Sequence, residues 1–233
     1  MNKKLALILS CEHATNHIPE AYSHLFAPYN ALLNSHQGVD FGALSIAQHL
    51  HKALDIELVQ AQTSRLLIDC NRSLRNPRCF SEITRALPLI EKDEIIQRYY
   101  LPFRAQVTQF IEQNITQSRQ VWHLSIHSFT PILNDIIRTA DIGFLYDPRR
   151  TSEKLGATLW QKEMNTLAPE YRVRMNYPYK GISDGFTSYL RKQYTAEQYV
   201  GIEIETNQSI TQDEQAFNKL KIILTQSLFN QTS

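Results

Sequence analysis

The chain has 233 residues, 42% of them hydrophobic and 20% charged, a globular composition that excludes a disordered or fibrous protein. Lysine and arginine total 24 against 23 acids, and a net charge of +1 argues against a dedicated nucleic-acid binder. That balance still accommodates a small anionic ligand, since two or three arginines suffice to grip one.

From the N-terminus, Met1-Asn2-Lys3-Lys4 leads into residues 5–9, which read as a short buried strand. Five apolar residues are too few for a secretory signal, and no segment approaches the ~18 apolar residues of a membrane span. Cys11, Cys70 and Cys79 lack the paired spacing of a disulfide framework or a zinc ribbon, so the expectation is a soluble cytoplasmic protein. Residues 41–54 place Leu44, Ala47, Leu50 and Leu54 at helical spacing, and short apolar runs follow at 56–59 and 66–68. A long helical pattern over 91–115 carries Ile95, Tyr99, Phe103, Val107, Phe110 and Ile111, with an interruption expected near Pro102. Residues 121–126 and 142–146 read as strands, 153–167 and 214–228 as helices, and 200–204 as an apolar run carrying acids. The alternation predicts an α/β layered fold with a largely parallel sheet covered on both faces, in one domain spanning 1–233. Neither GxGxxG nor GxxxxGK[ST] is present, which removes support for dinucleotide and P-loop readings.

In open α/β sheets, ligands bind beyond the carboxyl ends of the strands. Reactive residues recur just there: Glu12 and His13 after the first run, Asp69, Asn71 and Arg72 after the third, and His127 after residues 121–126. Two imidazoles and a carboxylate make a three-ligand catalytic zinc site. The candidates are His13, His127 and Asp40, the nearest acid before a helix; the competing reading makes both histidines loop residues bonded to backbone. His49 and His51 are two apart on a helix and cannot share a face. Arg65, Asn71 and Arg72, joined by Arg138, form a candidate clamp for a substrate carboxylate, against the alternative of plain Arg65–Asp69 or Arg72–Asp69 ion pairs. Glu203 and Glu205 share one strand face, where burial lifts a carboxylate toward general-base range; a solvated edge strand is the alternative.

Together these residues carry a resemblance. Ser10-Cys11-Glu12-His13-Ala14-Thr15-Asn16-His17-Ile18-Pro19, Val39-Asp40-Phe41-Gly42-Ala43, Ser64-Arg65 through Asn71-Arg72, and Ser125-Ile126-His127-Ser128-Phe129-Thr130-Pro131 resemble the N-formylglutamate amidohydrolase family, in that order. Asn176-Tyr177-Pro178-Tyr179-Lys180-Gly181 and Ile202-Glu203-Ile204 continue it, so the likeness runs from residue 5 to about 207. It implies a three-layer α/β/α, phosphorylase/hydrolase-like fold with a mixed, mostly parallel sheet, related to zinc carboxypeptidases and aspartoacylase-like deacylases. It further implies His13 and His127 as zinc ligands, Asn71-Arg72 as the carboxylate clamp and Glu203 as general base. Asn16 stands where the carboxypeptidase-type motif has Glu, which moves the third ligand to Asp40, with His36 in reserve; Glu205 stands where Arg is common. The expected activity is zinc-dependent hydrolysis of a small anionic N-acyl amino acid such as N-formylglutamate. The alternatives are a zinc carboxypeptidase or amidase on short peptides, and a catalytically silent acyl-amino-acid binding protein.

Overall fold

Apolar runs of strand length, each followed by an amphipathic segment, give this chain its layers. The computed structural model describes residues 4–232, so Met1, Asn2 and Lys3, part of the leader reading, lie outside the described residues. In chain order it has β1 (Leu5–Cys11), α1 (Glu20–Phe26), α2 (Asn30–Leu33), α3 (Ala43–Leu54), β2 (Glu57–Gln60) and α4 (Leu89–Ile95). There follow α5 (Leu101–Thr116), β3 (Gln120–Phe129), a hairpin of β4 (Ile132–Leu133) and β5 (Ile136–Ile137), and β6 (Ile142–Leu145). The chain closes with α6 (Thr151–Leu167), β7 (Val173–Met175), α7 (Phe186–Gln193), β8 (Tyr199–Asn207), α8 (Gln208–Thr211) and α9 (Glu214–Thr232).

Six strands form one sheet in the order β2-β1-β3-β8-β6-β7. All neighbours are parallel except β6 and β8, so the sheet is mixed and mostly parallel, as the sequence predicts. One apolar core packs α3, α6 and α9 against Leu9, Leu124, Ile126, Ile202 and Ile204. A second core, with Ile8 and Val121 of the sheet, packs on the opposite face against α1, α5 and α7. No helix among the described residues is long and apolar enough to cross a membrane.

The two-residue period of a strand decides where the polar groups go. In β1, β3 and β8 the residues of one parity belong to the first core. Residues of the other parity (Ser10, then His123, Ser125 and His127, then Glu203 and Glu205) point into the second face. Ser10 is in register with Ser125, Ser125 with Glu203, and His127 with Glu205. A polar stripe thus crosses three central strands and ends at their carboxyl edge.

One expectation changes. Residues 66–68 are not a strand: Leu66, Leu67 and Ile68 are buried in the second core, but their backbone runs through turns within the irregular segment 61–88. Hydrophobic runs of this length report burial, and turn hydrogen bonds such as Leu67 N–H to Ser64 C=O win the backbone here. The interruption expected near Pro102 is present as a π-helical turn at Ile96–Tyr100, just before it. Pro102 itself sits in the first turn of α5, and Tyr100 and Leu101 ahead of it keep right-handed helical backbone, so the chain stays helical through the interruption. β8 is the buried strand expected for the run carrying Glu203 and Glu205; its central place, with every residue from Tyr199 to Asn207 buried, removes the alternative of a solvated edge strand.

Candidate metal centre

Three segments converge at the carboxyl end of β1 and β3. His13 lies two residues beyond β1, and its carbonyl accepts the Asp40 N–H at 3.1 Å, docking the 38–42 segment on the strand end. Gly42 adopts φ +82, a conformation that favours glycine, and lets α3 start directly after Asp40. His127 comes from β3 itself.

Asp40 Oδ2 stands 3.2 Å from His13 Nδ1 and 3.0 Å from His127 Nδ1. The three residues are buried, and one potential ligand atom from each lies within 4.8 Å of the others. This His/Asp/His set has the donor chemistry of a catalytic zinc site. His36, the reserve ligand, lines the same pocket but does not join the group.

The outer nitrogens of both imidazoles are held. His13 Nε2 is 2.8 Å from Asp69 Oδ1, and that oxygen also accepts the Asn71 N–H. His127 Nε2 is 2.9 Å from Ser125 Oγ, whose hydroxyl donates to Glu12 Oε2 at 2.8 Å. Since Ser125 gives its only proton to a carboxylate, it must accept from His127 Nε2–H, which turns Nδ1 toward Asp40. The buried chain runs on behind it. Ser10 Oγ donates to Glu12 Oε1 at 2.6 Å and accepts from His123 Nε2 at 2.7 Å, and His123 Nδ1 accepts from the Tyr199 hydroxyl at 2.8 Å. Burial pushes His123 down to about 4, so it stays neutral in this chain. Outer partners of this kind orient ligating histidines. Ser125→Ala is therefore expected to weaken zinc binding by about 10–100-fold, read by competition with a chelating dye; an unchanged affinity would remove Ser125 from the centre.

Electrostatics follow from crowding. Burial disfavours the imidazolium of His127, but the Asp40 hydrogen bond and the nearby Glu12, Asp40 and Glu205 charges outweigh it and push its pKa up to about 10. Asp40 and Asp69 are likewise buried, yet His13 and Arg65, with His127 beside Asp40 and Arg72 beside Asp69, hold both far below the usual carboxylate range. A folded value raised from 6.5 to about 10 contributes stability that is complete below 6.5 and lost as pH rises through 10. Metal-free protein should thus lose thermal stability across that window, measured by denaturation scans in chelator; a flat melting midpoint there contradicts the His127–Asp40 pairing.

The centre opens into a cavity of about 530 Å³ whose walls include Arg65, Asn71, Arg72, Tyr179, Glu203 and Glu205. Arg65 and Arg72 reach it from the irregular 61–88 segment, and they do form the ion pairs weighed as the alternative to a clamp. Arg65 lies 3.4 Å from Asp40 and 3.0 Å from Asp69, and Arg72 lies 3.9 Å from Asp69 and donates to the Asp184 carbonyl. Asn71 Oδ1 accepts the Phe186 N–H, which ties the segment to α7. Arg138 is not among the lining residues. It stands behind Tyr179, donating to its hydroxyl at 3.1 Å.

Glu203 Oε1 accepts a 2.6 Å hydrogen bond from Thr187 Oγ. Glu205 is raised to about 7, first by burial and then by Asp40 and Glu203, with His127 opposing, and its buried Oε2 has no hydrogen-bond partner among the described residues. The Cys11, Cys70 and Cys79 thiols are buried and raised, Cys79 to about 12, which removes the thiolate a nucleophile needs. Sequence reasoning gave no role to Thr187, Tyr179 or Ser125, although Tyr179 and Ser125 lie in stretches that carry the resemblance, and it placed Asp69 at the ligand edge without pairing it with His13. Thr187 comes from a segment with no motif, whereas Tyr179 lies in the 176–181 stretch of the resemblance and Ser125 carried a signal in its place two residues before His127 on one strand face.

A family model described as N-formylglutamate amidohydrolase matches residues 5–211. The gene product Atu2144 from Agrobacterium tumefaciens has a similar structure, 26% identical, covering 98% of this chain and 92% of that one with a TM-score of 0.80. The N-formylglutamate amidohydrolase from Ralstonia eutropha is similar in fold at 21% identity, covering 97% of this chain and 92% of that one, with a TM-score of 0.71. No curated protein matches the sequence significantly.

Proposed function

This chain belongs to the N-formylglutamate amidohydrolase family, and on that premise we propose that it is a metal-dependent amidohydrolase cleaving the amide of a small anionic N-acyl amino acid, N-formylglutamate being the family's own example. The observation that carries the reading is the buried His13–Asp40–His127 group opening into a cavity whose other walls offer both guanidinium and carboxylate groups. His13, Asp40 and His127 would hold a divalent ion, with zinc the best match to two imidazoles and a carboxylate. When bound, such an ion supplies Lewis-acid chemistry, lowering the pKa of water to about 7 and polarising an amide carbonyl.

The chain's own residues supply the rest. Glu203 accepts a proton from the attacking water and passes it to the leaving nitrogen, so that the acyl carbon gains oxygen as its bond to nitrogen breaks. Thr187 Oγ on Oε1 fixes the orientation of that carboxylate and leaves its other oxygen for the proton. Asn71 and Arg72 bind the substrate carboxylate through charge-assisted hydrogen bonds. Arg65, already beside Asp40, shares that role and faces the oxygen where charge develops. Arg138 acts on the substrate side through Tyr179.

Metal analysis of purified protein, followed by a release assay over N-formyl, N-acetyl and N-succinyl amino acids, tests the reading. About one zinc per chain and release of one acyl class with the free amino acid is expected. Metal-free protein that retains affinity for acyl amino acids and releases nothing would make it a binding protein instead.

A further inference from the structure

A second cavity, of about 1030 Å³, lies on the other side of the Ser183–Asp184 loop, which contributes to the walls of both. Its lining holds Arg75, Arg104, Arg149, Arg150, Arg191 and Lys192 against only two acids, Asp147 and Asp184. A chain whose total charge is +1 has gathered a quarter of its 24 basic residues around this one hollow.

The local ion pairs do not cancel that charge. Arg149 is neutralised by Asp147, with Nη2 to Oδ2 at 2.7 Å. Arg150 and Arg191 share a single carboxylate, that of the fully buried Glu153, at 3.1 and 3.0 Å. Arg104 has no carboxylate partner among the described residues. Its guanidinium is stacked 4.2 Å from Phe186, 4.6 Å from Tyr189 and 4.9 Å from Tyr100, and Nη1 donates to the Cys70 and Arg72 carbonyls. The residue is 93% buried, leaving a desolvated cation on the cavity wall. The side chains of Arg75 and Lys192 make no ion pair or hydrogen bond among the described residues, and both are exposed at the cavity. With Asp147 paired to Arg149, Asp184 is the lining acid left among the described residues to offset these groups, and its carboxylate is taken up by Asn76 and the Ser73 N–H.

Holding several guanidiniums in one hollow with too few carboxylates costs free energy, and an anion from solution relieves it. Rings fixed against Arg104 pre-orient its fork, which suits a planar or tetrahedral oxyanion. We propose that this cavity is a binding site, separate from the metal centre, for a small multivalent anion carrying phosphate or carboxylate groups. It borders the Arg72 clamp, because Arg104 and the Tyr100 hydroxyl both hold the Arg72 carbonyl.

The test is NMR titration of the zinc-loaded protein at low ionic strength, with inorganic phosphate in one arm and succinate in the other, read at the Arg104 Nε–H and the Tyr189 amide. Saturable shifts with a Kd of about 1 mM or tighter are expected for at least one anion, and the arm that responds names the group recognised. In the double variant Arg75→Glu/Lys192→Glu the same signals should show binding weakened about tenfold or more. Both substituted residues are exposed and outside the metal pocket, and unchanged zinc content confirms an intact fold. No saturable shift at these positions with either anion, or an equal Kd in the double variant, overturns the proposal.

Discussion

Glu203→Gln is expected to lower kcat by about 10²–10⁴ with zinc content unchanged. The substitution keeps the shape of the side chain, and the amide oxygen of glutamine can still accept the Thr187 hydroxyl that now binds Oε1 at 2.6 Å. What it removes is the proton acceptor. Glu205 is the natural comparison, since it lies two residues on along β8, on the same face and in the same cavity. Glu205→Gln should cost much less, because Glu203 alone has a carboxylate locked by a neighbouring hydroxyl. Steady-state kinetics of the two variants decide between them: the reverse ranking moves the base to Glu205, whose free oxygen and value near 7 would then be its qualification.

Arg72→Ala should act on the other kinetic constant. A charge-assisted hydrogen bond to a substrate carboxylate is worth roughly 1.5–3 kcal/mol, so KM should rise about ten- to a hundredfold while kcat changes little. Arg72 can be removed without stranding Asp69, which keeps Arg65 at 3.0 Å and His13 at 2.8 Å. The KM split separates binding from folding, because a merely structural role would lower the melting point and leave KM alone. An unchanged KM for every acidic substrate removes Arg72 from the clamp.

The parts of this molecule that are legible in its sequence are those governed by short periodicities. The strand at 121–126 declares its face by alternation, and the same alternation places His127 with Ser125 and Glu203 with Glu205. Strand ends mark the ligand edge, so His13 and His127 can be paired without knowing the sheet order. Asp40 is legible for a similar reason, standing just before a helix whose start is marked by Gly42.

The irregular segment from 61 to 88 hides what it does. Leu66-Leu67-Ile68 looks like a strand because burial and strand formation leave the same apolar signature over three residues. Only the tertiary fold shows that this run plugs the second core while Arg65 and Asp69 on either side of it reach back to Asp40 and His13. Thr187 is hidden for another reason: it reaches the site from a segment distant in sequence, and nothing in its local surroundings distinguishes it from a surface residue. Arg138 shows the converse, a residue of the right type near a strand that is held one layer behind the pocket by Tyr179.

Zinc K-edge absorption of the reconstituted protein, compared with Asp40→Ala, tests the metal centre most directly. Two imidazole nitrogens and one carboxylate oxygen at about 2.0–2.2 Å are expected in the parent protein. In Asp40→Ala the carboxylate should vanish from the spectrum and zinc should fall well below one per chain after dialysis. A parent spectrum with a different donor set, or an Asp40→Ala protein that keeps one zinc per chain with the spectrum unaltered, would contradict a site built from His13, Asp40 and His127.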